Sequence, residues 1–180
     1  MTTERIGGVT YKGRSLTVIG EQLRVGDPAP GFKLVANDFS AVTLADSRGK
    51  VRLISVVPSL DTGICDAQTR RFNAEAANLG ENVVILTVSS EHPFNQRRWC
   101  GAAGIDQVQV VSDHMDMAFG AAYGTYVKEL RLEQRSVFVI DADDCIAHVE
   151  YVPEIAQHPD YDAALTAVTQ ALHRQTPVTN

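Results

Sequence analysis

Cysteine is scarce in this chain: three among 180 residues, at positions 65, 100 and 145, with no CxxC pair. An odd and widely spaced set does not describe a secreted disulfide scaffold. Basic runs of five or more are absent, and the net charge is -6. Such a chain has no electrostatic reason to gather on DNA, RNA or an anionic membrane. No stretch approaches the roughly 18 apolar residues of a membrane span. The opening MTTERIGGVTYKG lacks an apolar h-region and does not read as a secretory signal, so a cytoplasmic location is the expectation. Internal repeats and low-complexity segments are also missing. What three cysteines leave open is metal binding, thiol chemistry or, for each of them, inert burial.

Apolar residues make up 44% and charged residues 21% of the chain, ordinary values for a globular protein. The length suits one domain over 1–180, with an N-terminal hairpin over about 1–20 and a loose tail over 175–180. Short alternating runs at 9–12 and 15–19 around Gly13-Arg14 predict that hairpin. Residues 33–35 and 41–44 read as a second strand pair. Then the pattern alternates: a buried strand over 51–57 (VRLISVV), a helix over 62–79, a strand over 82–89. Pro93 opens a helix running to about residue 102. A strand over 107–111 and a short helix over 116–123 follow. Residues 135–141 and 146–152 flank an acidic turn and read as a hairpin. Tyr161, Leu165, Val168 and Leu172 share one face of a final helix. This order gives an α/β fold. A parallel central pair with an antiparallel edge hairpin would make it thioredoxin-like, which periodicity alone does not single out.

The chemistry concentrates at Pro58-Ser59-Leu60-Asp61-Thr62-Gly63-Ile64-Cys65. This segment leaves a buried strand and enters a helix, placing Cys65 in or near the first helical turn. Backbone N–H groups there lack intrahelical partners, and the helix dipole favours negative charge. A thiolate is such a charge, and helix N-termini favour it. Thr62 can turn its hydroxyl toward the sulfur or a bound oxygen. Pro58 stiffens the loop. Attack by a thiolate on an O–O bond needs a nucleophile, in-line placement and charge stabilisation on the departing oxygen. Neither a metal nor an organic cofactor is required.

The Pro-x-x-x-Thr-x-x-Cys pattern resembles the active-site signature of the peroxiredoxins. The longer string PSLDTGICDAQTRRFN, with RRWCGAAGI and SDHMDMAFGAAYG leading to RSVFVID, is similar to the thiol peroxidase branch of that family. The resemblance runs from about Gly7 to the last helix. It implies a thioredoxin-like fold, a central mixed sheet flanked by helices, with an additional N-terminal β-hairpin. It implies Cys65 as the peroxidatic cysteine, with Thr62 bonding thiolate and peroxide, Pro58 shielding the sulfur and Arg135 supporting its charge. Only the resemblance promotes Arg135, because an arginine opening a strand is ordinarily solvated. Cys100 would be the resolving cysteine, forming an intramolecular disulfide with Cys65 that a thioredoxin-type dithiol reduces. Hydrogen peroxide and organic hydroperoxides would be the substrates, and a homodimer the assembly. Helical placement of both cysteines further predicts local unwinding on oxidation, because a disulfide needs Cα atoms within roughly 7 Å.

Other readings compete. A disulfide oxidoreductase would need the missing CxxC. A redox sensor or relay would use the same Cys65 chemistry. Cys145, in the acidic turn, is expected to be structural. His92, Cys100 and His114 match no zinc spacing. Asp141, Asp143 and Asp144 lie outside any EF-hand loop. Arg70 and Arg71 are expected to pair with acidic neighbours on the surface.

Overall fold

The computed structural model describes residues 3–175. From residue 176 on, the tail expected over 175–180 lies outside the described residues. In chain order the elements are β1 (Glu4–Tyr11), β2 (Arg14–Ile19), β3 (Lys33–Ala36), β4 (Ala41–Thr43), β5 (Val51–Val56), α1 (Gly63–Leu79), β6 (Val83–Ser89), α2 (Pro93–Ala103), β7 (Gln109–Ser112), α3 (Ala118–Tyr123), β8 (Tyr126–Val127), β9 (Leu132–Glu133), β10 (Ser136–Ile140), β11 (Ile146–Tyr151) and α4 (Tyr161–Gln175).

A seven-stranded mixed sheet runs in the order β11-β10-β5-β6-β7-β3-β4. Its centre is parallel, β5 to β6 to β7, and the pairs at both edges are antiparallel. The parallel centre with the β10–β11 edge hairpin is the arrangement required for a thioredoxin-like fold. Both faces of this sheet are covered, so its strands read as continuous apolar runs rather than alternating ones. On β5, Leu53 faces α1 and α4, whereas Ile54 and Val56 face α3. Phe72 of α1 and Val168 of α4 close the first layer; Phe119 and Tyr123 of α3 close the second. Each such buried side chain contributes about 1.5–3 kcal/mol.

The N-terminal hairpin is longer than alternation suggested. Its loop is Lys12-Gly13, both at positive φ (51° and 77°), the left-handed pair that a two-residue hairpin favours. Arg14 already pairs with Tyr11. β8 and β9 extend the hairpin into a four-stranded sheet, β1-β2-β8-β9. Two-residue strands carry no periodicity, which is why no sequence pattern marks them.

Two other boundaries differ from expectation. Strand β7 starts at Gln109 because the N–H groups of Gln107 and Val108 donate to the Asn73 side chain instead of a neighbouring strand. Helix α3 starts at Ala118 because Met117 has a left-handed backbone (φ 55°). The acidic turn is tied down: Asp141 Oδ1 accepts from the N–H groups of Asp143 and Cys145, and Asp144 pairs with buried Arg52. No helix among the described residues is long and apolar enough to cross a membrane.

Candidate active site

Strand β5 delivers the chain at Pro58, and α1 begins five residues later. Thr62 is the N-cap, with extended backbone (φ -97°, ψ 147°), so Cys65 is the third residue of the helix. The cap hydroxyl makes no bond to a helix N–H. Thr62 Oγ1 instead lies 2.7 Å from Cys65 Sγ, as a donor. Its other contact is the Ser59 carbonyl at 3.2 Å. A cap residue that gives up its ordinary role to hold a sulfur is placed for that sulfur's charge.

Arg135 reaches the same atom from β10. Its Nη2 is 3.3 Å from Cys65 Sγ. The guanidinium is 2% exposed and fixed on every side: Nε and Nη2 donate to the Ile155 carbonyl, and Nη1 donates to Gln68 Oε1 at 2.8 Å. Gln68, one turn after Cys65, donates in turn to Ser55 Oγ on β5. An arginine just before a strand is usually solvated; here antiparallel pairing of β10 with β5 carries it under α1. Cys65 itself is fully buried. A cavity of about 470 Å³ lies beside it, lined by Pro58, Thr62, Ile64, Leu132, Arg135 and Ile155 among others. Its walls are mainly apolar, with the two polar groups that touch Sγ facing in. A larger concavity, about 1280 Å³, lies elsewhere, beside β3 and β4, and none of these residues lines it.

The loop preceding Cys65 has an anchor with no sequence signal. Glu91, just after β6, accepts from Ser59 Oγ at 2.7 Å, from the Leu60 N–H at 2.9 Å and from Ser89 Oγ at 2.6 Å.

Cys100 lies on α2, on the same side of the sheet as Cys65. Its Sγ accepts from Asn37 Nδ2 at 3.9 Å, beyond the end of β3. Ser136, Val56, Val88, Val111 and Ala36 form one row across the sheet. Arg135 flanks one end of that row and Asn37 the other, four strand spacings or roughly 19 Å apart. Each sulfur has its own partners, and both thiols are free. Burial pushes the Cys100 thiol pKa up, only partly offset by the Asn37 bond.

The remaining candidates fall elsewhere. Cys145 Sγ donates to the Asp143 carbonyl at 3.8 Å. His92 and His114 have ring centroids 4.8 Å apart, but Cys100 is with Asn37, and His114 Nδ1 bonds Ser112 Oγ. Among the described residues no group of three or more His, Cys, Asp or Glu is assembled to hold a metal. Arg70 bonds Asp66 and the Ala103 carbonyl, bridging α1 to the end of α2; Arg71 pairs with Glu75 and Asp162.

Comparison with known proteins agrees with this geometry. Residues 24–165 match the model of the Redoxin family. The thiol peroxidase of Halalkalibacterium halodurans is 56% identical over 167 residues, 93% of this chain and 100% of that protein. The thiol peroxidase of Bacillus subtilis is 53% identical over 159 residues, 88% of this chain and 95% of its own. The crystal structure of a peroxiredoxin-like protein from Aquifex aeolicus superposes with a TM-score of 0.85 at 35% identity, covering 91% of this chain and 96% of that one. With the family model spanning most of the chain and its relatives aligned nearly end to end, the chain belongs to the Redoxin family, on its thiol peroxidase branch.

Proposed function

We propose that the protein is a thiol-dependent peroxidase, working as one domain over 1–180, with Cys65 as the peroxidatic residue. One observation carries this reading: Thr62 Oγ1 and Arg135 Nη2 converge on a buried sulfur in the first turn of a helix, at 2.7 and 3.3 Å. Two donors and a helix N-terminus favour the thiolate, and both donor residues line the adjoining cavity. The thiolate attacks the terminal peroxide oxygen. An S–O bond forms and the O–O bond breaks. Sulfur is oxidised by two electrons to the sulfenic acid, and the departing oxygen leaves as an alcohol or water after taking up a proton. Arg135 and Thr62 are placed to support charge as it moves from sulfur to oxygen. Pro58 keeps bulk water from one side. The apolar walls suit organic hydroperoxides as well as hydrogen peroxide.

Cys100 is the resolving residue in this reading. Its thiolate attacks the sulfenic sulfur, forming the S–S bond and releasing water. A thioredoxin-type dithiol, in the cytosol, then reduces the disulfide. The two sulfurs sit on different helices with different partners, so in this reading α1, α2 or both unwind locally before the bond forms. Self-association as a homodimer belongs to the same reading.

The test is intact mass and peptide mapping after one equivalent of peroxide. A Cys65–Cys100 bond within one chain is expected. Cys65→Ser should abolish turnover. Cys100→Ser should keep one stoichiometric oxidation and lose turnover with a dithiol reductant. Peroxidase activity in Cys65→Ser, or a Cys65–Cys145 bond, would overturn the assignment. Stoichiometric oxidation without dithiol-supported turnover in the intact protein would favour a redox relay.

A further inference from the structure

Glu91 takes no part in the chemistry just described, yet it joins the two segments that the chemistry must move. Its carboxylate receives Ser59 Oγ, the Leu60 N–H and Ser89 Oγ. Ser59 and Leu60 belong to the loop that feeds α1, and the Ser59 carbonyl accepts from the Thr62 N–H at 3.3 Å. The next residue, His92, is the N-cap of α2, whose side chain accepts from Phe94 N–H. The Glu91 carbonyl is held in turn by Ser112 Oγ at 2.5 Å, at the end of β7. One residue thus fastens the Cys65 loop to the root of the helix that carries Cys100.

We infer that Glu91 is a positioning residue: a clamp that holds the Cys65 loop in its peroxide-reactive form and must release before the two cysteines can meet. This inference rests on Cys65 and Cys100 being the peroxidatic and resolving pair. It gives the two steps opposite dependence on one side chain. Peroxide attack needs Thr62 in place, and the clamp supplies that through Ser59. Disulfide formation needs the first turn of α1 to open, and the clamp resists it.

Gln can reproduce much of the geometry. Its amide oxygen replaces Oε1, which serves Ser59 and Leu60, while the Ser89 hydroxyl can rotate to accept from the amide NH2. Ala cannot. The chain's single tryptophan, Trp99, adjoins Cys100 and is the stopped-flow fluorescence probe of disulfide formation, while quenched-flow mass spectrometry follows oxidation of Cys65. In Glu91→Ala, loss of bonds to a charged acceptor should slow peroxide attack by about tenfold. Disulfide formation should accelerate several-fold, and over-oxidation to sulfinic acid should fall. Hydrogen exchange in residues 59–66 of the reduced protein should rise. Glu91→Gln should restore most of both rates. Val168→Ala, a core variant in α4, measures what general destabilisation does.

Two rates in Glu91→Ala that move in the same direction, or do not move, overturn the clamp. So does a Glu91→Gln protein indistinguishable from Glu91→Ala, or the same split in Val168→Ala. If the unmodified protein forms no Cys65–Cys100 bond, it is the assignment of the pair that fails, before the clamp is reached.

Discussion

Cys65 and Cys100 both sit on helices packed against one side of the central sheet, yet their surroundings differ in kind. Cys65 is fully buried, and its sulfur is met by a hydroxyl and a guanidinium. Those groups are themselves held: Arg135 by Ile155 and Gln68, the loop by Glu91. Cys100 is half-buried, with one long contact to Asn37. Burial raises its thiol pKa. One sulfur is met by two fixed donors before any substrate arrives. The other keeps a neutral thiol packed against the core with one long hydrogen bond to its sulfur. In the proposed reaction the cysteine that acts first is the preorganised one, and the one that travels has the fewer polar ties.

The largest effect should come from removing the fixed cation on the Cys65 side. Arg135→Lys keeps the charge but not the fork. A single ammonium cannot serve Cys65, Gln68 and Ile155 together, and it would leave buried acceptors without donors. Peroxide attack should slow by about a hundredfold, the scale seen when one preorganised donor is removed. Single-turnover kinetics with limiting peroxide reads this directly. A loss below a few-fold would show that the sulfur's reactivity comes from the helix start alone, and the contrast between the cysteines would shrink to burial.

Thr62→Val is next. It is close to isosteric and deletes only the hydroxyl. A hydrogen bond to a charged group contributes about 1.5–3 kcal/mol, so attack should slow roughly tenfold to a hundredfold. Thr62→Ser should recover most of the rate. Neither change should alter how fast Cys100 forms the disulfide once the sulfenic acid exists.

These groups were unequally visible in the chain. Pro58, Thr62 and Cys65 lie within one turn-and-helix segment, so spacing and the rules of helix N-termini were enough to nominate them. The alternation of strand and helix likewise announced the α/β sheet, because buried parallel strands must be apolar throughout. Arg135 lies 70 residues from Cys65 and reaches it only through the β10–β5 pairing. Nothing local distinguishes it from a solvated arginine, and only family resemblance pointed to it. Gln68, Glu91 and Asn37 carry no local sequence signal. Each is an ordinary polar residue whose role is defined by partners across the sheet, and periodicity carries no information about those partners. The strands β8 and β9 were missed for a related reason: two residues cannot show a period of two.

The finest test concerns the looser of the two cysteines. In the resting protein, burial raises the Cys100 thiol pKa and the Asn37 donor lowers it somewhat. Asn37→Leu removes the donor while keeping bulk, so ionisation of the resting thiol should shift to still higher pH. The Cβ chemical shift of isotope-labelled Cys100, followed against pH in the reduced protein, measures that midpoint. Disulfide formation is a different matter. If Cys100 attacks only after α2 frays, the attacking thiol is no longer desolvated, and the pH midpoint of that step should lie near the ordinary cysteine value of about 8.5. It should also be indifferent to Asn37. Resting ionisation and reactivity would then titrate apart in one residue, with the reactive midpoint the lower of the two. Should the disulfide step follow the resting midpoint, and move with it in Asn37→Leu, Cys100 would be attacking from its parked position. The proposed unwinding would then be wrong, and the single bond from Asn37 would be part of the reacting arrangement.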